Sequence, residues 1–402
     1  MDMPPKEKEK FFGIEIDSSS SQFNSIKKFF SRRHLILEFS NRELLIAEVK
    51  VVKEGLEVTY INNFSLPEKS VERGFPLDPK SMASFIKDIL EENNIYSSRC
   101  YVVVPPEAIF SKVVAFDKNQ SKTELIRKLK SGTSKVQIPI PIEQTDFDIY
   151  PIDINNNDQK RSYVVNCIPK KLINSLKELC EDADLKLCRV EVSFLSQSYL
   201  LLDEISDLDK NEMIFIIELR DNCSFVSSAT QNGLIQIGKI PSIKTFPEIN
   251  EDSKDLIINF QDAENNIIAS ENYYKIKKLD LKVFLGEFKT IINNFIKNNN
   301  SYKVKSIFLT GLNSSHQDLD NLLESIINLP VKTIRAKNNS FFLKIKNQTP
   351  ILIQKFNRIL GLGISSYLEY FTNSEIESND AYQSFFKKTS ELIHSLNLNL
   401  KK

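Results

Sequence analysis

The sequence predicts an α/β protein of two lobes built on one plan, with a small α+β unit inserted in the first. Three observations carry this. An order of three strands, a helix and a further strand runs from residue 34 to 104 and starts again at residue 212. Between the two copies lies a stretch with a different order of elements. At 402 residues the chain exceeds what one hydrophobic core usually serves, and a hydrophobic content of 41% suffices to bury two.

The first copy opens with the apolar run 34–39, read as a buried strand. A second strand follows at 43–53, where Leu45, Ala47 and Val49 alternate, and a third at 56–64 after a turn at Gly55. Residues 79–92 place Met82, Phe85, Ile86 and Ile89 at helical spacing, and 99–104 reads as the fourth strand. The inserted stretch offers a strand at 111–116, a helix at 123–130 and strands at 146–153 and 162–168. A helix at 170–183, a strand at 187–191 and a helix at 193–204 complete it. Pro139 and Pro141 bar a central strand or helix from 136–142, which is expected to lie extended at an edge. The second copy has strands at 212–219, 224–229 and 234–240, a helix at 273–298 and a strand at 304–309 that runs into Gly311. Helices at 316–329 and 350–370 close it. The expected division is an N-terminal flexible segment 1–33, a first-lobe core 34–105 and an inserted subdomain 106–191. The second-lobe core takes 192–251 and 301–372, its own subdomain 252–300, and a linker with an amphipathic helix 373–402.

Composition narrows the function. Fifty-three basic residues balance fifty-three acidic ones with no long basic block, which disfavours a nucleic-acid partner. The five cysteines lie in apolar runs without C-x-x-C spacing and read as buried thiols of a reducing compartment. The three histidines have no ligand spacing, so neither a metal site nor catalytic residues are expected. No stretch of about 18 apolar residues or signal-like start occurs, and a cytoplasmic address is expected. The compact basic and aromatic patch at 26–33 reads as a tail more readily than as a membrane contact. Only ten glycines are present, whereas loops that hold phosphate use glycine so that backbone N–H groups can approach it.

Two lobes of this order resemble the actin-like (ribonuclease H-like) nucleotide clamp. With the insertion after the fourth strand, the chain is similar to the FtsA-like proteins and, more closely, to the PilM-type family of type IV pilus assembly proteins. The residues that carry the likeness are Ile138-Pro139-Ile140-Pro141-Ile142-Glu143 followed by a strand, Leu66-Pro67, Asp78-Pro79 and Val104-Pro105. In that superfamily the first strand of each lobe exits through Asp-x-Gly, whose carboxylate holds the metal shell while loop amides hold phosphates. Here the exits read Glu38-Phe39-Ser40 and Glu218-Leu219-Arg220, and the adenosine loop keeps only Gly311. The resemblance therefore implies a vestigial cofactor site at Glu38, Ser40, Glu218, Ser224 and Gly311. No cofactor is expected, and ATP–Mg²⁺ binding, if retained, is weak. A second candidate for the first phosphate loop is 12–21, which lacks a glycine after Asp17.

The resemblance further implies a cytoplasmic scaffold that binds the N-terminal peptide of a PilN-like inner-membrane protein, together with other pilus assembly components, and associates with the membrane through these partners. The groove it implies draws on Val102, Val103, Ile138, Ile140 and Ile142. Two alternatives stay open at this point. One is an actin-like ATP-binding switch in which Glu38 and Glu218 hold the Mg²⁺ shell, and the other an FtsA-like membrane tether using the apolar spacing of 382–396.

Overall fold

The computed structural model describes residues 9–11, 14–16 and 33–372, apart from 53–54, 119, 133–137, 153–158, 221–222, 232, 244, 248–255, 259–273, 277, 299–301, 316–318, 336–342 and 346–352. The first lobe begins with a meander of β1 (Arg33–Phe39), β2 (Glu43–Val52) and β3 (Gly55–Ser65). Gly55, at φ +139°, starts the third strand in a conformation that suits glycine. Helix α1 (Pro79–Glu92) follows, then β4 (Arg99–Val104), which lies parallel to β1. Asp78 caps α1 by accepting a hydrogen bond from the Ser81 N–H at 3.1 Å, and Pro79 occupies the first turn, where no N–H is needed. Its buried face, Met82, Ala83, Ile86, Ile89 and Leu90, packs with Leu35, Leu37 and Val102 of the sheet.

The inserted unit is a three-stranded antiparallel sheet of β5 (Phe110–Asp117), β6 (Thr145–Ile152) and β7 (Lys160–Pro169), with β7 in the middle. Helix α2 (Lys122–Lys130) opens with a capping box between Ser121 and Glu124 and lays Leu125 and Leu129 on this sheet. The insertion ends near Pro169, which corrects the expected boundary at residue 191. Helix α3 (Lys170–Asp182) packs in the same core cluster as α1, and β8 (Lys186–Val192) returns to pair in parallel with β4. The first-lobe sheet thus runs β8-β4-β1-β2-β3 and gains a last parallel strand, β14 (Leu343–Ile345), from far along the chain.

After α4 (Ser193–Ser198) and α5 (Leu202–Ser206) the second lobe repeats the meander as β9 (Glu212–Glu218), β10 (Cys223–Thr230) and β11 (Gly233–Pro241). Helix α6 (Lys278–Asn298), β12 (Lys303–Thr310), α7 (Leu319–Ile327) and β13 (Val331–Thr333) complete a sheet of order β11-β10-β9-β12-β13. In both lobes the first strand is flanked by its hairpin partner on one side and a parallel strand on the other. Glu38 stands opposite Leu45 and Val103, and Glu218 opposite Phe225 and Thr310, so the two carboxylates occupy equivalent positions.

Helix α8 (Asn357–Thr372) joins the lobes. One apolar cluster contains Ile36 and Val103 of the first sheet, Ile214 and Phe308 of the second, and Ile359, Leu360, Leu362 and Ile364 of α8. Gly361 permits the crossing of α8 over α4, because a Cβ there would collide with the Ser196 carbonyl.

Two local expectations change. Within 1–33, strands Glu9–Phe11 and Ile14–Ile16 pair antiparallel, so this part of the N-terminal segment has regular structure. Residues 138–141 form no strand, and Ile142–Gln144 is a single 3₁₀ turn, so no sheet edge lies there. The candidate loop 12–21 keeps strand Ile14–Ile16 but otherwise falls outside the described residues, as do the basic patch 26–32 and the tail 373–402.

Candidate functional site between the lobes

The two equivalent strand exits face each other across the lobe junction, and each is occupied by bonds within the chain. After β1 the backbone turns at Ser40, whose N–H donates to the Glu43 carbonyl at 2.9 Å. The Ser40 hydroxyl accepts from the Glu43 N–H at 3.0 Å and donates to the same residue's carbonyl at 3.0 Å. This serine holds its own turn together. After β9, the Leu219 N–H donates to the Thr310 carbonyl at 2.8 Å. Arg220 then reaches back to the first lobe, donating to Glu107 Oε2 at 3.0 Å with Glu218 Oε1 3.7 Å away.

Between Glu38 and Glu218 stands Arg358, in the first turn of α8. Its Nε donates to Glu38 Oε2 at 2.7 Å and its Nη1 to Glu218 Oε1 at 2.5 Å. Relative exposures of 0 % for Glu38, 2 % for Glu218 and 9 % for Arg358 make this a buried three-residue bridge between lobes. A cation at a helix N-terminus opposes the helix dipole, so the two carboxylates also offset a local cost. Burial pushes the Glu38 carboxyl up, and the opposing pull of Arg358 and Arg220 does not cancel it. Burial acts on Glu218 too, but Arg358, Arg220 and the hydrogen bond from Arg358 outweigh it and hold this carboxyl below its ordinary value. Burial pulls the Arg358 guanidinium down, and Glu38 with Glu218 more than reverses it. Glu38 Oε1 has no hydrogen-bond partner, whereas Glu218 Oε2 receives the Ser193 hydroxyl at 3.3 Å.

The arrangement fits a metal–nucleotide poorly. In a clamp of this type two carboxylates surround a hydrated divalent cation; here the space between them is filled by a guanidinium, and a metal would require it to leave. Among the described residues no group of three or more His, Cys, Asp or Glu is placed to hold a metal. Gly311 has a structural role that needs no nucleotide. Its φ is +89°, and a Cβ would strike the Leu219 carbonyl, so the close approach of β12 to β9 requires glycine. Ser224, fully buried, has a hydroxyl without a partner. Asn357, beside Arg358, ties the exit of β12 to α8 by donating to Thr310 Oγ1 at 3.1 Å and to the Ile334 carbonyl at 3.2 Å.

Outside this bridge the junction opens into a cleft of about 480 Å³. Arg42, Arg73, Arg220, Lys239, Lys355 and Arg358 line it, with Glu107 as the only lining carboxylate. Lys355 is paired to Glu43 at 2.7 Å.

The five expected site residues of the cofactor class therefore divide. Glu38 and Glu218 come together through Arg358, while Ser40, Ser224 and Gly311 serve turns, the core and strand packing. For the expected peptide groove, Val102 and Val103 require correction. They lie inside the first-lobe sheet at 0 % and 1 % exposure, because a parallel central strand is covered on both faces, and they present no surface to a ligand. Ile138, Ile140 and Ile142 are half-buried on the inserted unit, with Ile138 against its core. His34 is buried, and His316 and His394 lie outside the described residues. All five cysteines are free thiols.

Sequence reasoning missed Arg358, the residue that organises the junction. Its signal was present: it is the only charged side chain between Lys355 and Glu369, in the otherwise apolar and small-residue start of a helix.

The family model described as type IV pilus assembly protein PilM matches residues 37–235. Among solved structures, a chain of a PilM–PilN type IV pilus biogenesis complex is similar at a TM-score of 0.60 and 14% identity, covering 83% of this chain and 98% of that one. MreB5 of Spiroplasma citri bound to ADP matches at a TM-score of 0.43 and 8% identity, covering 85% and 99%. A Bacteroides thetaiotaomicron protein with an actin-like ATPase fold matches at 0.36 and 12%, covering 77% and 93%. No curated protein sequence matches. No helix among the described residues is long and apolar enough to cross a membrane.

Proposed function

We propose, from the premise that the chain belongs to the PilM family through residues 37–235, that it acts as a scaffold of type IV pilus assembly and does so without turning over a nucleotide. Its partner is the N-terminal segment of a PilN-like inner-membrane protein, and it is held at the cytoplasmic face of the membrane through that partner. The observation that carries the nucleotide-free part is the Glu38–Arg358–Glu218 bridge, which supplies from within the chain the charge that a metal would otherwise bring. The partner part is supported by the family match and by the likeness to a chain of the PilM–PilN complex at a TM-score of 0.60.

The docking region on this reading is the inserted unit around Ile138, Ile140 and Ile142, which are half-buried rather than sealed. An apolar peptide side chain placed there covers exposed methyl groups at about 25 cal/mol per Å². The test is calorimetric titration with the N-terminal peptide of the PilN-like protein encoded by the same genome. Micromolar binding, weakened by Ile140→Asp, is expected. No heat and no thermal protection with that peptide would remove the adaptor reading.

A further inference from the structure

The surface beside the bridge contains two adjoining cavities that share Asn41 and Arg42. One is the cationic cleft of about 480 Å³ and the other a groove of about 830 Å³. The groove is lined by Leu66, Val71 and Leu77, and Leu77 is one of three large apolar side chains exposed among the described residues, at 53 %. Lys69 lines it too, with Glu68 and Glu72. The surplus of positive charge therefore lies at the cleft end, whereas in the groove Arg42 and Lys69 balance Glu68 and Glu72 beside the apolar contacts.

The rim between the two is built rather than incidental. The Asn41 side chain accepts a hydrogen bond from the Arg73 N–H at 3.0 Å, tying the β1–β2 turn to the tight hairpin of Val71–Glu72 and Phe75–Pro76. Arg73 has φ +50°, a left-handed conformation that a residue with a Cβ adopts at a cost. Gly74, at φ +79°, follows it, and a Cβ there would stand 2.6 Å from the Pro105 ring. Glycine therefore lets this hairpin press against Pro105, which brings Arg42 and Arg73 to one edge, opposite Lys239 of the second lobe in the cleft lining. The other cleft cations, Arg220, Lys355 and Arg358, are engaged by Glu107, Glu43, Glu38 and Glu218. Arg42 and Arg73 make no salt bridge among the described residues.

We propose that this channel binds an extended acidic peptide segment of a partner protein, its carboxylates on Arg42, Arg73 and Lys239 and an apolar side chain against Leu77. Charge complementarity selects the occupant and its direction, since the cationic surplus lies in the cleft while the Leu77 end is charge-balanced and offers no net attraction to carboxylates. A phosphate ligand would use the arginines equally well, but it leaves the apolar half of the channel without a role. The site is separate from the inserted unit around Ile140, so either can fail without the other.

The experiment is fluorescence anisotropy on the full chain. The probe is a dye-labelled synthetic peptide of about eight residues, some 26 Å when extended, with an acidic first half and two leucines in the second. Binding is expected to weaken about tenfold between 0.05 and 0.3 M salt. The variant Arg42→Glu with Arg73→Glu should lose about tenfold in affinity, and Leu77→Asp about fivefold. All three positions are exposed, so thermal unfolding of each variant should match that of the parent. Inorganic pyrophosphate, titrated as competitor, should displace the peptide poorly. Absence of binding, indifference to the double charge reversal, or efficient displacement by pyrophosphate with no effect of Leu77→Asp would each overturn the proposal, the last in favour of a phosphate site.

Discussion

The two lobes share a plan and differ at the point where their first strands end. Glu38 is the more isolated of the pair: fully buried, bonded to Arg358 through one oxygen, its other oxygen without a partner, its carboxyl held up by burial. Glu218 has Arg358, the nearby Arg220 and the Ser193 hydroxyl, and is held down. Beyond them, Ser40 closes a turn within the first lobe, whereas Arg220 crosses to Glu107 of the other lobe. Equivalent positions in a duplicated fold have thus taken unequal parts of one internal ion cluster. Arg358 is held from both lobes, by Glu38 first and Glu218 second, and both strand exits serve lobe-to-lobe bonding.

The strongest way to break this comparison is to remove the shared cation. Arg358→Met removes the counterion that Glu38 and Glu218 share and leaves only Arg220, 3.7 Å from Glu218, to offset two buried carboxylates, and is expected to cost about 3–5 kcal/mol in urea unfolding. A loss under about 1 kcal/mol would mean that the bridge is not holding the lobes.

Acid should act unevenly as well. His34, in β1, is packed on Tyr101 and hydrogen-bonded to Ser366 of α8 at 3.0 Å. Burial, with Arg99 adding to it, lowers its pKa from 6.5 to about 4. A lowered folded value means that the unfolded chain takes up the proton first. The associated stability is complete above pH 6.5 and falls as pH drops towards 4, by about 3 kcal/mol in all. Strand β9 of the second lobe carries no histidine. Unfolding followed across that pH range should lose much of its slope in His34→Gln, and an unchanged slope would contradict the assignment.

The smallest effect separates the two carboxylates themselves. At pH 7, Glu218→Gln should cost about 2 kcal/mol, because charge-assisted hydrogen bonds are lost from a side chain held ionised. Glu38→Gln should cost less than about 1 kcal/mol, since burial already disfavours its charge. The sign for Glu38 is opposite to that for Glu218. A raised value makes ionisation unfavourable to folding as pH climbs above the unfolded value near 4.5, whereas the stability from Glu218 is present above that pH and lost on acidification. Equal losses in the two variants would erase the asymmetry.

The duplicated meander was legible because central strands such as Leu35–Phe39 and Met213–Glu218 are near-continuous apolar runs bounded by turns. The same property hides the burial of Val102 and Val103, since an apolar strand residue carries no mark of whether it faces a groove or a core. The boundary at 191 was misplaced because a parallel strand returns only after a long crossover, and β8 looks in sequence like a continuation of the insertion. Strands β13 and β14, three residues each, are too short to show a period. The carboxylates Glu38 and Glu218 were found by their place at strand exits. Their partner was not, because Arg358 lies 320 residues from Glu38 and 140 from Glu218, and only the fold brings the three together.

The central claim is that an internal guanidinium occupies the place a nucleotide's metal would take. Calorimetric titration of the full chain with ATP–Mg²⁺ tests it most directly. No saturable binding is expected, any Kd being weaker than about 1 mM, equivalent to roughly 4 kcal/mol. Binding at micromolar Kd that disappears in Glu38→Ala would contradict it.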